Sequence, residues 1–165
     1  MTAMSPTYGM SARTRTERPG ALLEAAIELA RLAGDTAHSF GDEVARATLG
    51  VETKSDGSPV TVADRTAEQR AREWIESRFP DDGILGEELG VTREGASRRW
   101  ILDPIDGTKS FVRGVPLWGT LVAVAEGETV LAGVAYFPAA GELIAAAPGE
   151  GCWWNDRRCA VSRVD

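Results

Sequence analysis

The chain has 165 residues, 43% of them hydrophobic, with 18 Lys and Arg against 25 Asp and Glu and a formal charge of -7. That length and apolar content suit one domain with a real core, and no run of about 18 apolar residues marks a membrane span. The acidic balance, with no Lys/Arg cluster, argues against a nucleic-acid-binding surface. It leaves room for a small anionic substrate, because bound divalent cations reverse the local sign.

Met1 to Gly20 mixes Ser, Thr, Pro, Gly and Arg with no apolar periodicity and no signal-peptide core, so a disordered tail is expected. Ala21 to about Phe40 reads as a helix, with Leu22, Ala26, Leu29 and Ala33 on one face and Leu23, Ile27 and Ala30 beside them. His38, the single histidine, falls at its end, where a capping or surface role fits better than catalysis. Val51 to Val60 looks extended and is broken by the turn sequence Asp56-Gly57-Ser58-Pro59. Thr61-Val62-Ala63-Asp64 resembles a capping arrangement, with Asp in place of the usual Glu. The helix it opens runs to about Arg78, with Ala63, Ala67, Ala71, Trp74 and Ile75 inward, and Phe79-Pro80 ends it. Asp64 then complements the dipole of a first helical turn.

Asp81-Asp82-Gly83 is a turn and Ile84-Leu85-Gly86 a short strand leading into Glu87-Glu88. Val91 to Arg99 reads as a polar connection. Trp100-Ile101-Leu102 is the end of a buried strand, and Pro104, which cannot donate to a ladder, should stop it near Asp103. Asp103 and Asp106 thus stand at a strand end, Gly107 lets the backbone approach a ligand closely, and a helical turn from Thr108 would favour an anion there. A carboxylate pair able to hold hard cations, beside a backbone able to hold phosphate, suggests metal-assisted phosphoryl chemistry.

Leu117 to Ala125 and Val130 to Phe137 form a hairpin about Gly127-Glu128. Glu142 to Ala147 is a further strand, and Gly151 to Asn155 with Arg158 to Val161 a last hairpin. Trp153 and Trp154 suit packing or the lip of a cleft. Cys152 and Cys159 have neither a disulfide framework nor a metal-ligand spacing and read as reduced thiols of a cytoplasmic protein. Helices first and then a run of antiparallel strands predict an α+β fold with helices layered against the sheet.

Gly86-Glu87-Glu88, followed by Trp100-Ile101-Leu102-Asp103-Pro104-Ile105-Asp106-Gly107-Thr108, resembles the inositol monophosphatase family of metal-dependent sugar-type phosphatases. Lys54 and the Thr61-x-x-Asp64 turn also match, and the likeness runs from about Ala21 to the end. The segments Glu52 to Thr61 and Thr108 to Pro116 look most like the histidinol-phosphatase branch. The resemblance implies the N-terminal metal-binding domain of the inositol monophosphatase/fructose-bisphosphatase-like fold over residues 21–165. It implies two or three Mg2+ ions: one held by Glu87, Asp103 and the Ile105 carbonyl, a second by Asp103 and Asp106, and a weaker third near Glu87 and Lys54. Gly107 and Thr108 would give backbone N–H groups to phosphate. The Thr108 hydroxyl, supported by Asp64, would orient the attacking water with Glu87.

The chain departs from the family in stopping at Asp165, before a C-terminal α/β layer whose Trp-Asp segment supplies another ligand to the second magnesium. Three expectations follow: a phosphatase of L-histidinol phosphate in histidine biosynthesis; a family phosphatase of inositol 1-phosphate or another sugar or nucleotide phosphate; or an inactive truncated chain keeping the first metal site. A homodimer is compatible with the family, and no nucleic-acid or membrane partner is expected.

Overall fold

The computed structural model describes residues 20–41, 50, 52–53 and 59–162; the expected tail up to residue 19 and Lys54 lie outside these. Helix α1 (Ala21–His38) buries Leu23, Ala26, Leu29, Ala30, Ala33 and Ala37. Leu22 and Ile27 are only partly buried, so the inward stripe is rotated from Leu22 toward Leu23 and Ala30. Small residues on that stripe bring the helix close to its neighbours. At Gly34, a Cβ would run into the Tyr136 ring.

Helix α2 (Val62–Arg78) is opened by a capping box. Thr61 Oγ1 accepts from the Ala63 and Asp64 amides at 3.1 and 3.4 Å, and Asp64 Oδ2 accepts from the Thr61 amide at 2.7 Å. Asp64 therefore plays the part that Glu plays in the usual box. Its inner face is Ala63, Ala67, Ala71 and Ile75, and the helix ends at Phe79, ahead of Pro80.

The strands are β1 (Glu52–Thr53), β2 (Pro59–Val60), β3 (Gly83–Gly86), β4 (Gly90–Thr92), β5 (Arg98–Asp106), β6 (Gly119–Glu126), β7 (Thr129–Phe137), β8 (Glu142–Ala147), β9 (Gly151–Trp154) and β10 (Arg157–Cys159), with a short helix α3 (Thr108–Phe111) after β5. Strands β1 and β2 pair as a separate ribbon. The other eight form one sheet in the order β10-β9-β8-β7-β6-β5-β3-β4. Every neighbouring pair is antiparallel except β3 with β5, which is parallel.

The architecture is the expected α+β layering, with two corrections. The stretch read as a polar connection contains β4, which pairs with β3 as Ile84↔Thr92 and Leu85↔Val91. A three-residue edge strand with two exposed positions carries too little apolar pattern to announce itself. Second, the route through β4 returns the chain to the other side of β3, so β3 and β5 run in the same direction although the sequence suggested antiparallel strands.

The core lies between the helix pair and one face of the sheet. Trp100 is fully buried, with Phe79 and Trp74 ring centroids 5.0 and 6.0 Å away. Leu102, Val122, Val124, Ala132, Val134, Leu143, Ala145 and Trp153 join it from successive strands. Trp153 is therefore a core residue, while Trp154 is exposed. A smaller cluster of Ala37, Ala63, Ala67, Ile105, Phe111 and Trp118 seals the end of the layer where β5 meets α3. No helix among the described residues is long and apolar enough to cross a membrane.

Candidate active site

The parallel pairing of β3 and β5 sets the site. Its register ends on Gly86↔Leu102, so the next residues of each strand, Glu87 and Asp103, emerge side by side. The Glu87 amide donates to the Leu102 carbonyl at 3.1 Å, which holds the end of β3 against β5. The carboxyl groups of Glu87 and Asp103 lie within hydrogen-bonding reach of each other. Burial above all, then the hydrogen bond with Glu87, then the negative charges of Glu87 and Asp106, push Asp103 up to about 8; the Ile105 N–H bond opposes them. Two carboxyl groups in contact share a proton when no cation lies between them.

Pro104 does not end the strand at Asp103, as its missing N–H suggested. Strand β5 continues to Asp106 through a bulge: Asp103 pairs with Leu121 and Asp106 with Gly119, so one extra residue lies on the β5 side. The missing donor is tolerated because bulge residues need not complete the ladder. The Ile105 amide turns to Asp103 Oδ1 at 3.2 Å, and the Pro104 carbonyl accepts from Thr120 Oγ1 at 2.7 Å. In a regular strand, residues three apart point to opposite faces. The extra residue brings Asp103 and Asp106 back to one side and turns Ile105, 1% exposed, into the small apolar cluster.

Gly107 follows with φ +93°, a left-handed conformation that starts α3. A Cβ there would also lie 3.1 Å from the Leu117 carbonyl oxygen. Thr108 heads α3, and its hydroxyl donates to the Ile105 carbonyl at 3.0 Å. Asp64 is 1% exposed, and its Oδ2 accepts from the Thr61 hydroxyl at 2.6 Å as well as from the Thr61 amide. The structure thus ties Thr108 to Ile105 and Asp64 to Thr61. His38 is an exposed residue of the last turn of α1, its ring 6.2 Å from that of Trp118.

Glu87, Asp103 and Asp106 present oxygen donors only, the set that suits a small hard dication such as magnesium. Among the described residues no three His, Cys, Asp or Glu side chains close on a common point as a finished cage. The fit to a cation rests on the donor set itself: two carboxyls within reach of each other and a third close by, which a divalent ion would draw together. Two residues absent from the sequence reading adjoin the site, Glu68 and Arg72. They signal themselves weakly, as charged residues on a helix whose neighbours Ala67 and Ala71 are buried.

The sequence profile of the inositol monophosphatase family matches residues 20–165. A histidinol-phosphatase of Chlorobaculum parvum is 46% identical over 143 residues, covering 86% of this chain and 54% of that protein. Among solved structures, the extragenic suppressor protein suhB of Bartonella henselae matches with a TM-score of 0.81 at 33% identity, over 87% of this chain and 55% of that one. An IMPase from Thermotoga maritima matches with a TM-score of 0.76 at 35% identity, over 86% and 54%. The chain spans about half the length of the curated relatives it matches. A profile match over nearly the whole chain, on a fold that agrees with it, makes the chain a member of the inositol monophosphatase family.

Proposed function

We propose that the protein is a magnesium-dependent phosphomonoesterase that releases phosphate from L-histidinol phosphate, in the histidine biosynthesis of the cytoplasm. The observation that carries the reading is the contact of Glu87 with Asp103 just past the last parallel pair of β3 and β5, beside Asp106 and the Gly107-Thr108 turn. The substrate rests on the 46% identity to a histidinol-phosphatase. The cytoplasmic placement accords with two cysteines, Cys152 and Cys159, that make no disulfide framework.

In this reading Glu87, Asp103 and the Ile105 carbonyl would hold one magnesium and Asp103 with Asp106 a second, and the family resemblance would add a weaker third ion near Glu87, with Lys54, outside the described residues, as its companion. When bound, the ions acidify water and neutralise phosphate charge. The chain's own groups then position the reactants, which is most of what phosphoryl transfer asks of a protein. The Gly107 and Thr108 amides donate to phosphate oxygens. The Thr108 hydroxyl, anchored on Ile105, offers its lone pairs to the attacking water, and Glu87 takes up that water's proton. Asp64, at the start of α2, would support the Thr108 hydroxyl in orienting that water.

The test is phosphate release by the purified chain from L-histidinol phosphate and from inositol 1-phosphate, with magnesium and with EDTA. Release that needs magnesium and favours histidinol phosphate at least about tenfold is expected, a gap of about 1.4 kcal/mol in transition-state binding. A preference for inositol phosphate would move the substrate to the second reading, which the 35% identity to the Thermotoga maritima IMPase favours. A folded chain that releases phosphate from neither would overturn the catalytic assignment and leave a metal-binding fragment.

A further inference from the structure

Helix α2 carries a buried charged ladder. Asp64, Glu68 and Arg72 are spaced four residues apart, on one face of the helix, and are 1%, 0% and 7% exposed. Asp64 is accounted for by the capping box. Glu68 and Arg72 have no part in the cap or the apolar core, and burying charge without a reason is costly.

Their hydrogen bonds converge on one turn. The Glu68 carboxylate accepts from Arg72 Nε at 2.9 Å, from the Glu88 amide at 2.7 Å and from the Leu89 amide at 3.0 Å. Arg72 donates onward to the Gly90 carbonyl and to Thr92 Oγ1, the latter at 2.7 Å. The backbone between β3 and β4 is thus gripped at Glu88, Leu89 and Gly90 by a single buried ion pair. The first residue of that turn is Glu87. Its own amide is fixed from the other side by the Leu102 carbonyl. The close approach needs glycine at 86, where a Cβ would overlap the Glu68 carboxylate.

We propose that Glu68 and Arg72 are positioning residues: their ion pair fixes the 87–90 turn, so that the Glu87 carboxylate is held against Asp103 and the site's affinity for divalent cations is set from helix α2. The inference rests on the metal reading given under Proposed function. Neither residue is assigned to substrate or cation.

The test uses Glu68→Gln in the full 165-residue chain. Glutamine keeps one oxygen for Arg72 but turns an NH2 group toward the amides that Glu68 served. Two readouts are taken: amide-resolved hydrogen exchange without metal, and Mn2+ affinity by calorimetry. Expected are exchange at Glu88 and Leu89 at least about tenfold faster, with α2 protection kept, and Mn2+ binding weakened about 10- to 100-fold, the usual range for a residue that supports metal ligands from behind. The exposed control Glu73→Gln should move neither. If Glu68→Gln fails to fold, Arg72→Lys carries the test, since an ammonium cannot reach Glu68, Gly90 and Thr92 together. Unchanged exchange, or faster exchange with unchanged Mn2+ affinity, overturns the positioning role while leaving the metal reading intact. A wild-type chain that binds no Mn2+ overturns the metal reading and the positioning role together.

Discussion

Burial first, and then the neighbouring Glu87 carboxyl, push Asp103 up to about 8 in the folded chain, from an ordinary aspartate value of 3.8. Between those values the folded state binds more protons than the unfolded one, so Asp103 contributes stability at low pH and loses it as pH rises toward 8. In EDTA the Tm is therefore expected to fall from pH 5 to pH 8, and magnesium should restore it most at pH 8, where the carboxylate is free to bind. Asp103→Asn cannot ionise. It should flatten the pH slope, raise the EDTA Tm at pH 8 above wild type, and remove the magnesium-dependent gain together with phosphate release. A D103N chain that keeps the wild-type slope would show that the slope comes from other groups. Gly107→Ala makes a different demand at the next turn. It forces an L side chain to φ +93° with a Cβ 3.1 Å from a carbonyl oxygen. A loss of about 1–3 kcal/mol is expected in urea denaturation.

Among the elements, α2 is the one through which stability and site meet. Thr61→Ala removes an acceptor for two amides and a hydroxyl partner of buried Asp64. It should cost about 1–2 kcal/mol by urea titration, and phosphate release should fall with it if Asp64 supports Thr108 as proposed. Helix α1 was legible from its apolar periodicity alone, and α2 because cap, periodicity and terminator agree: Thr61 with Asp64, the alanines every four residues, Phe79-Pro80. The hairpins of β6 to β10 were legible through their turns. The parallel pairing of β3 with β5 was not, because it depends on β4, three residues with hardly an apolar signal, inserted between them. Asp103 and Asp106 stood out as a motif, but their return to one side depends on the bulge at Pro104-Ile105, which the proline made look like a strand end. Glu68 and Arg72 were passed over for a physical reason as well. A charged pair four apart on a helix reads as a solvated face, and only the turn packed over it shows that it is buried.

At the scale of the whole molecule, the described helices cover one face of the sheet and leave the other bare. Alternation makes this visible: Trp100, Leu143, Ala145 and Trp153 are at most 4% exposed on the helix side, while Ile101, Ile144 and Trp154 from the same strands are 37%, 44% and 46% exposed on the other. An apolar groove lined by Val130, Ile144, Ala146 and Val161 runs along that second face, and another hollow beside Ile101 and Leu121 reaches Asp103 at its end. A continuous apolar surface of this kind seeks cover, from a dye, a second copy or another layer of protein. The isolated chain is therefore expected to bind a hydrophobic dye such as ANS and to sediment with a concentration-dependent mass. Ile144→Lys tests this, because the ammonium can reach water from an exposed strand position and the buried neighbours Leu143 and Ala145 are untouched. Dye fluorescence and association should both drop, with stability within about 0.5 kcal/mol of wild type, as for a surface substitution. A loss of several kcal/mol in that variant at low protein concentration would mean instead that Ile144 is covered within the monomer, and dye binding unmoved by the lysine would place the sticky surface elsewhere.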